Sequence, residues 1–286
     1  MLFKGGIIIK FTKMHGAGND FIIINNIIEK IPEEKFSHIA KTLCSRRLSI
    51  GADGIMFLDN TAGKADYKMN FLNSDGTHGE MCGNGARCIC RYGFEKGLAG
   101  KKQIIETISG LVEGVRIDKR RYEIRLNKPT VFKMDFPLEY DGNKYDCSYV
   151  ELGDLGLPHL IVKLSNLHTL NKENLYNIGK GLRQHKKLKK GANVTFYFID
   201  NEEVYAKTFE RGVEDFTLAC GTGAGSLGFT LIKKDIVNSG EIRINMPGGI
   251  LNIILKESNG KYEEIFLVGP TNIVCEGIIL DEDFNY

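Results

Sequence analysis

The chain has 286 residues, of which 42% are hydrophobic and 26% charged, a composition typical of globular proteins. Its 38 Lys and Arg residues nearly balance 36 Asp and Glu residues, for a formal net charge of +2. Nucleic-acid and membrane-surface proteins usually carry a basic patch, so this balance argues against both classes. The length exceeds what one hydrophobic core usually organises, and two domains are therefore expected.

No segment is typical of a transmembrane helix or a signal peptide, because the apolar stretch 5–9 is short and Lys10 follows it. A cytoplasmic protein is therefore expected. Thiols stay reduced in that compartment, so the seven cysteines are interpreted as free thiols and not as a disulfide framework.

Short runs rich in Ile, Val, Phe and Tyr predict β-strands, and longer periodic segments predict helices. In chain order the strands are Phe21–Ile24, Gly54–Leu58, Tyr67–Leu72, Leu160–Leu164, Val194–Ile199, Val204–Phe209, Glu241–Asn245 and Ile250–Leu255. The helices are Glu34–Cys44, Gly85–Lys96, Lys172–Gln184 and Gly223–Lys234. Many strands with two long helices per half predict an α+β fold, in which an antiparallel or mixed sheet wraps a central helix in each half.

One pattern occurs once in each half of the sequence. Met81–Cys88 is MCGNGARC and Ala219–Ser226 is ACGTGAGS, and each follows a strand and a polar turn and opens a helix. We interpret this repeat as two pseudo-symmetric domains, residues 1–128 with the first motif and 129–275 with the second, divided near Asn127–Pro129.

The repeated motif places Cys82 and Cys220 directly before a helix. There the backbone N–H groups point outward and the helix dipole is positive, which favours thiolate over thiol. The glycines are expected to let these N–H groups approach an anion such as an α-carboxylate. Two such units facing each other across one Cα would supply a base on one face and an acid on the other. This chemistry inverts a Cα without pyridoxal phosphate, and no cofactor is expected.

The other cysteines give no sign of a metal site. The spacing of Cys82, Cys88 and Cys90 does not match a zinc pattern, and no metal is expected. Cys88 and Cys90 are interpreted as core residues, as are Cys44, Cys147 and Cys275.

The sequence resembles the diaminopimelate epimerase family along nearly its whole length. The motifs are FTKMHGAGNDF (Phe11–Phe21), IGADGI (Ile50–Ile55), NSDGTHGEMCGNGARC (Asn73–Cys88), FERGVEDFTLACGTGAG (Phe209–Gly225), MPGG (Met246–Gly249) and VGPTNIVCEGII (Val268–Ile279). The resemblance implies cofactor-independent conversion of LL- to meso-diaminopimelate. It also implies two mirror-related domains, with the last strand, 276–286, returning to the first.

The resemblance also implies roles for individual residues. Cys82 and Cys220 become the acid–base pair, and His159 and Glu210 tune their thiols. The backbone of Gly83, Asn84, Gly221 and Thr222 holds the α-carboxylate. The remaining substrate-binding positions are Asn19, Asn73, Asn193, Glu210 and Arg211.

Two positions depart from the family pattern. Leu157 stands where the family usually has Asn or a small polar residue, and that Asn helps to hold the distal end of diaminopimelate. The turn Val213–Thr217 is one residue longer than its commonest form and has Phe216 at a normally polar position. Both changes predict a less polar distal pocket, and Leu157 is the candidate selectivity residue. A racemase of another amino acid, such as histidine, is therefore the alternative function.

Two further hypotheses belong to other classes. A thiol redox protein could use Cys82 and Cys220, and it would show no racemisation that depends on them. A non-catalytic amino-acid-binding module would show no turnover at all, and retention of both cysteines argues against it. The expected partner is a small-molecule amino acid, without nucleic acid or membrane, and a homodimer is compatible with the sequence.

Overall fold

The computed structural model describes residues 9–79, 82–153, 157–258 and 261–280, apart from the side chains of residues 157, 258 and 261–263. Strands outnumber helices throughout, as the α+β prediction requires. None of the helices in these ranges combines the length and the apolar composition that a membrane crossing requires.

The chain folds as two compact units, residues 1–122 with 271–286 and residues 123–270. These boundaries lie a few residues before those expected from the sequence, 1–128 with 276–286 and 129–275. The division falls inside strand Arg121–Leu126, because Leu126 lies against Gly225 of a helix in the second unit. The returning strand likewise begins earlier than expected, at Asn272.

The first unit holds strands β1 (Ile9–Gly16), β2 (Asn19–Asn25), β3 (Gly54–Asp59), β4 (Tyr67–Asn73), β5 (Lys102–Thr107), β6 (Gly110–Arg116) and the start of β7 (Arg121–Leu126). Its helices are α1 (Asn26–Glu29), α2 (Phe36–Leu43) and α3 (Gly83–Glu95), with a 3-10 turn at Glu33–Lys35.

The second unit holds strands β8 (Pro129–Lys133), β9 (Leu138–Tyr140), β10 (Asn143–Tyr145), β11 (Cys147–Leu152), β12 (Leu157–Lys163), β13 (Asn193–Asp200), β14 (Glu203–Glu210), β15 (Asp215–Thr217), β16 (Glu241–Met246), β17 (Gly249–Ser258) and β18 (Lys261–Pro270). Its helices are α4 (Lys172–Arg183) and α5 (Gly221–Lys233). The last strand, β19 (Asn272–Ile279), pairs with β1 of the first unit, in antiparallel register from Ile9 opposite Ile279.

The two units share one order of strand pairing. In the first, β1 to β6 pair successively as antiparallel, parallel, antiparallel, parallel and antiparallel. In the second, β11, β12, β13, β14, β16 and β17 repeat the same series. A helix lies within each parallel connection, α2 and α3 in one unit and α4 and α5 in the other. This repetition confirms the predicted pseudo-symmetric fold.

Helices α3 and α5 are the central helices that the sequence predicts. In α3 every residue from Gly83 to Gly93 is buried, and in α5 every residue from Gly223 to Ile232. Helix α3 contacts β1, β2 and β6, and α5 contacts β11, β12, β13, β17 and β18. A helix buried on all sides needs no polar face, which explains the apolar and glycine-rich sequence of α5.

Helices α2 and α4 are amphipathic and cover one face each. The N-cap residue of helix α4 is Asn171, whose side chain accepts a hydrogen bond from the N–H of Asn174. It buries Leu175, Gly179 and Leu182 against the core that includes Phe196 and Phe209. The same helix exposes Asn177.

We expect Leu182→Ala to lower the free energy of unfolding by about 2–5 kcal/mol, because the fully buried side chain would leave a cavity in this core. Asn177→Ala, on the exposed face of the same helix, should change it by less than about 0.5 kcal/mol. Urea denaturation of the two variants measures the difference. Equal effects at both positions would contradict the placement of this helix face.

Candidate active site

Cys82 is the N-cap residue of α3, with φ −110° and ψ 111°. Its Sγ accepts a hydrogen bond from the N–H of Gly85 at 3.5 Å and donates one to Oδ1 of Asn19 at 3.5 Å. The side chain is half-buried. The sulfur therefore lies at the positive end of the helix, as the sequence predicts.

Cys220 is the N-cap residue of α5, with nearly the same backbone conformation, φ −112° and ψ 111°. Its Sγ lies 3.6 Å from Oγ1 of Thr222, and the residue is only 5% exposed. The two sulfurs thus share a backbone setting and differ in their side-chain neighbours.

The second glycine of each motif lies close to side chains of the sheet. A Cβ on Gly85 would lie 2.5 Å from Cε of Met56, and a Cβ on Gly223 would lie 2.8 Å from Oγ1 of Thr195. Neither glycine has a positive φ. These two glycines let the first turn of each helix lie directly on the sheet, a role different from the anion approach expected of them.

The first unit brings three of the predicted residues together. Asn19, at the start of β2, accepts hydrogen bonds at Oδ1 from Cys82 and from Nδ2 of Asn84, the latter at 3.2 Å. Asn73, at the end of β4, donates from Nδ2 to Oγ1 of Thr77 within the following turn, at 3.0 Å.

Two charged residues that the sequence analysis did not assign to the site join this cluster. Asp53 accepts a hydrogen bond from Nδ2 of Asn19 at 2.7 Å, and Arg87 donates from Nη2 to Oδ1 of Asn84 at 2.7 Å. Arg87 is fully buried inside α3. The signal was an arginine in the first half of a helix that the sequence predicts to be central, since an arginine is seldom buried without a polar partner.

The second unit brings together His159, Asn193 and Arg211. His159 and Asn193 lie side by side in the parallel pair β12–β13. Oδ1 of Asn193 accepts a hydrogen bond from the backbone N–H of Arg211 at 2.7 Å. Both ring nitrogens of His159 and Nδ2 of Asn193 are buried, and within the described residues they have no hydrogen-bond partner. Buried polar atoms are usually paired, so these three atoms are candidates for contact with a ligand.

The electrostatic setting of His159 is unusual. Complete burial, together with the positive charge of Arg211, lowers the pKa of its imidazole to about 3. Arg211 itself donates from Nη1 to the carbonyl of Lys190 at 3.1 Å. His159 is therefore neutral at physiological pH.

Glu210 and Phe216 lie on the neighbouring strands β14 and β15. Thr217 donates a hydrogen bond to Oε1 of Glu210, which fixes that carboxylate at the strand end. The ring of Phe216 lies edge-on to Phe209 and tilted against Phe196, with centroids 5.4 and 6.1 Å apart. Phe216 is only half-buried, and its proposed effect on the polarity of a substrate pocket stays a prediction.

Leu157, the predicted selectivity residue, is the first residue of β12, opposite Leu152. Its side chain lies outside the described part of the structure, and its proposed contact with a substrate stays a prediction.

The remaining cysteines differ from the two at the helix starts. Cys44, Cys88, Cys90 and Cys147 are buried, and burial raises the pKa of each thiol to about 12. They are core residues, as expected, but Cys275 is exposed on β19, so its assignment to the core was wrong. Among the described residues, no three His, Cys, Asp or Glu side chains form a group able to hold a metal ion.

Comparison with known proteins places these features in one family. A family model described as diaminopimelate epimerase matches residues 11–128 and 152–274. The diaminopimelate epimerase of Methanocella arvoryzae is 35% identical and aligns over 97% of this chain and 98% of its own. That of Alkaliphilus metalliredigens is 34% identical over 96% and 98%.

Solved structures of more distant proteins share the fold. A PhzF-family phenazine biosynthesis protein of Bacillus anthracis superposes with a TM-score of 0.74 at 16% identity, covering 96% of this chain and 99% of its own. A hydroxyproline epimerase of Agrobacterium vitis gives a TM-score of 0.72 at 16% identity, covering 97% and 92%. The fold, the repeated cysteine motif and the full-length relatives agree: the chain belongs to the diaminopimelate epimerase family.

Proposed function

We propose that the protein interconverts LL- and meso-diaminopimelate without a cofactor, with Cys82 and Cys220 as its acid–base pair. The observation that carries this proposal is the matched N-cap conformation of the two cysteines, φ −110° and −112° at a common ψ of 111°. Full-length relatives that bear the name diaminopimelate epimerase support the substrate. Such a product would serve lysine biosynthesis in the cytoplasm.

The reaction needs two proton transfers at one carbon. One sulfur, as thiolate, takes the α-proton and becomes a thiol, while the other, as thiol, delivers its proton to the opposite face and becomes a thiolate. Protons and charge balance, and the pair ends in the reverse protonation state. The reverse reaction starts from that state, so each sulfur is a base in one direction and an acid in the other.

The backbone at the helix starts would hold the α-carboxylate. The N–H groups of Gly83, Asn84, Gly221 and Thr222 belong to the first turns of α3 and α5, where they point out of the helix end. Donors fixed on the carboxylate also stabilise the negative charge that develops when the α-proton leaves. This stabilisation offsets part of the cost of removing a very weakly acidic proton.

The second unit supplies polar contacts for the substrate. Nδ2 of Asn193 can donate a hydrogen bond, and a neutral His159 offers one donor and one acceptor. With Arg211 and the Glu210 carboxylate nearby in sequence and sheet, the group suits a zwitterionic amino-acid head. We assign Asn73 and Asn19 to the same task in the first unit.

His159 would act in its neutral form. An imidazole with a pKa of about 3 does not exchange protons with a thiol near neutral pH. Its contribution is therefore to offer a hydrogen-bond donor and acceptor to the substrate, not to act as a general base.

No observation favours a second substrate. The side chain of Leu157 lies outside the described residues, and the ring of Phe216 packs against Phe209. Histidine racemisation is therefore one arm of the substrate test and is not proposed here.

The substrate prediction can be checked by chiral chromatography after incubation with single amino acids. We expect conversion of LL-diaminopimelate to the meso form and no racemisation of L-histidine or L-lysine, because only the first has a second amino-acid head. Racemisation of histidine without epimerisation of diaminopimelate would overturn the substrate assignment.

Cys82→Ala and Cys220→Ala should each lower the epimerisation rate by a factor of at least about 100, since each removes a proton-transfer group. Cys275→Ala removes an exposed thiol outside the proposed site and should leave the rate unchanged. Initial rates with LL-diaminopimelate measure all three. A Cys82 or Cys220 variant with wild-type activity and an unaltered circular dichroism spectrum would contradict the two-cysteine assignment.

The low pKa of His159 predicts a pH dependence of stability. Below pH 6.5 the unfolded chain gains a proton at this imidazole that the folded chain does not bind until about pH 3. The free energy of unfolding should thus fall by up to about 1.4 kcal/mol per pH unit as pH decreases through this window. When the free energy of unfolding is measured with urea between pH 7 and 5, it should change less with pH in His159→Gln than in the wild type. The exposed control, His168→Gln, should keep the pH dependence of the wild type. The same pH dependence in all three proteins would contradict a neutral buried His159.

A further inference from the structure

A continuous row of side-chain hydrogen bonds runs past Cys82 in the first unit. Nη2 of Arg87 donates to Oδ1 of Asn84 at 2.7 Å, Nδ2 of Asn84 donates to Oδ1 of Asn19 at 3.2 Å, and Nδ2 of Asn19 donates to Oδ2 of Asp53 at 2.7 Å. We call Arg87, Asn84, Asn19 and Asp53 the amide relay. It joins helix α3, strand β2 and the segment before β3.

The chemistry of its two ends fixes the direction of the relay. A guanidinium group only donates and a carboxylate only accepts, so both amides must point their Nδ2 away from Arg87 and toward Asp53. Reversing either asparagine would place two donors or two acceptors together. Both ends have further anchors. Arg87 donates from Nη1 to the carbonyl of Gly83 at 3.2 Å, and Asp53 accepts from Nη2 of Arg46 at 2.8 Å.

Because of this direction, the atom of Asn19 nearest to Cys82 is a carbonyl oxygen. Oδ1 of Asn19 lies 3.5 Å from the sulfur, and it accepts the S–H of the thiol. The N–H of Gly85 donates to the same sulfur in either protonation state. A thiolate would lose the first interaction and face the negative end of the amide dipole, so the contact favours the protonated form.

Cys220 has a hydroxyl neighbour within its own motif. Its sulfur lies 3.6 Å from the hydroxyl of Thr222, which can donate as well as accept. A hydroxyl that donates stabilises a thiolate. The hydroxyl of Thr222 can donate to a thiolate at Cys220, whereas Oδ1 of Asn19 cannot donate to a thiolate at Cys82.

Among the residues that the structure describes, charged and titratable groups near Cys82 include Arg87 and Cys88 on α3, with Asp53 and Arg46 behind Asn19. The charge of Arg87 favours a thiolate at Cys82. Its guanidinium, however, donates to Asn84 and Gly83, so its action on Oδ1 of Asn19 passes through the relay. Burial lowers the pKa of Arg87 to about 10, and the group stays a cation at neutral pH.

We propose that Arg87 and Asp53 are positioning residues that set the direction of the amide relay, and that the relay keeps Cys82 as the protonated thiol of the pair in the substrate-free protein. The inference rests on the proposed function, because it assigns the resting state of one of the two acid–base groups. Cys220 is then the resting thiolate, and it is the base in the direction of reaction that starts from this state.

The wild-type protein provides the first test. The full-length, substrate-free protein is treated with iodoacetamide over a pH series, and the alkylation rate at each cysteine is followed by peptide mass spectrometry. Only the thiolate reacts, so the midpoint of each profile reports ionisation whatever the accessibility of the sulfur. We expect the midpoint of Cys82 to lie at least about one pH unit above that of Cys220, a tenfold difference in ionisation. Equal midpoints, or a lower midpoint at Cys82, would overturn the proposal.

A double-mutant cycle then separates the relay from simple charge effects. Asp53→Asn with Asn84→Asp moves the carboxylate to the other side of Asn19 without changing the net charge. Asn19 must now turn its Nδ2 toward residue 84 and the sulfur of Cys82, which favours the thiolate. Asp53→Asn alone leaves Arg87 and Asn84 in place, so Asn19 keeps its direction, whereas Asn84→Asp alone puts an acceptor on both sides of Asn19 and selects neither direction.

The relay predicts a non-additive result. Asn84→Asp alone should raise the Cys82 midpoint, because it brings a carboxylate closer, and Asp53→Asn alone should change it little. The double variant should fall below wild type by about one pH unit, equivalent to a tenfold rise in thiolate at a given pH. If the shift of the double variant equals the sum of the two single shifts, the direction of the Asn19 amide has no effect on the Cys82 midpoint, and the proposal is wrong. Alkylation needs no turnover, so the midpoints can contradict the relay even if the protein is an epimerase. If the protein shows no epimerase activity, the midpoints can still be measured.

Discussion

The structure depends on one constraint, imposed twice: a cysteine must end a loop and cap a helix whose first turn lies directly on the sheet. A side chain at the second glycine of either motif would meet Met56 in the first unit or Thr195 in the second. The absence of that side chain lets the first turn of each helix lie close to the sheet. Cys82 and Cys220, three residues earlier, share nearly equal dihedral angles.

The two units give their cysteines the same backbone conformation, but the side chains near the two sulfurs differ. The first unit surrounds its cysteine with amides whose direction is set by Arg87 and Asp53. In the second unit, Cys220 lies beside the hydroxyl of Thr222, and strand β12 carries the neutral, buried imidazole of His159. A thiol–thiolate pair needs such asymmetry, because two sulfurs with equal preferences would not divide one proton between them in a defined way.

Much of this architecture can be predicted from the sequence. The hydrophobic periodicity predicts α2 to α5 within about two residues at each end, and the repeated motif predicts the two-fold order of strands and central helices. Local patterns could not show what lies across the fold. The packing role of Gly85 depends on Met56, which is distant in sequence, and the packing of Phe216 depends on Phe196 and Phe209. The exposure of Cys275 depends in the same way on what covers β19.

The central claim is that two different groups act on the two faces of one Cα. It is tested most directly by letting LL-diaminopimelate react in heavy water until a small fraction has turned over, and then measuring deuterium at Cα in product and in recovered substrate. With two sulfurs, the product should carry deuterium from the donating thiol, while the recovered substrate keeps its hydrogen. Deuterium entering both at the same rate would mean that a single group both removes and returns the proton, and would contradict the account.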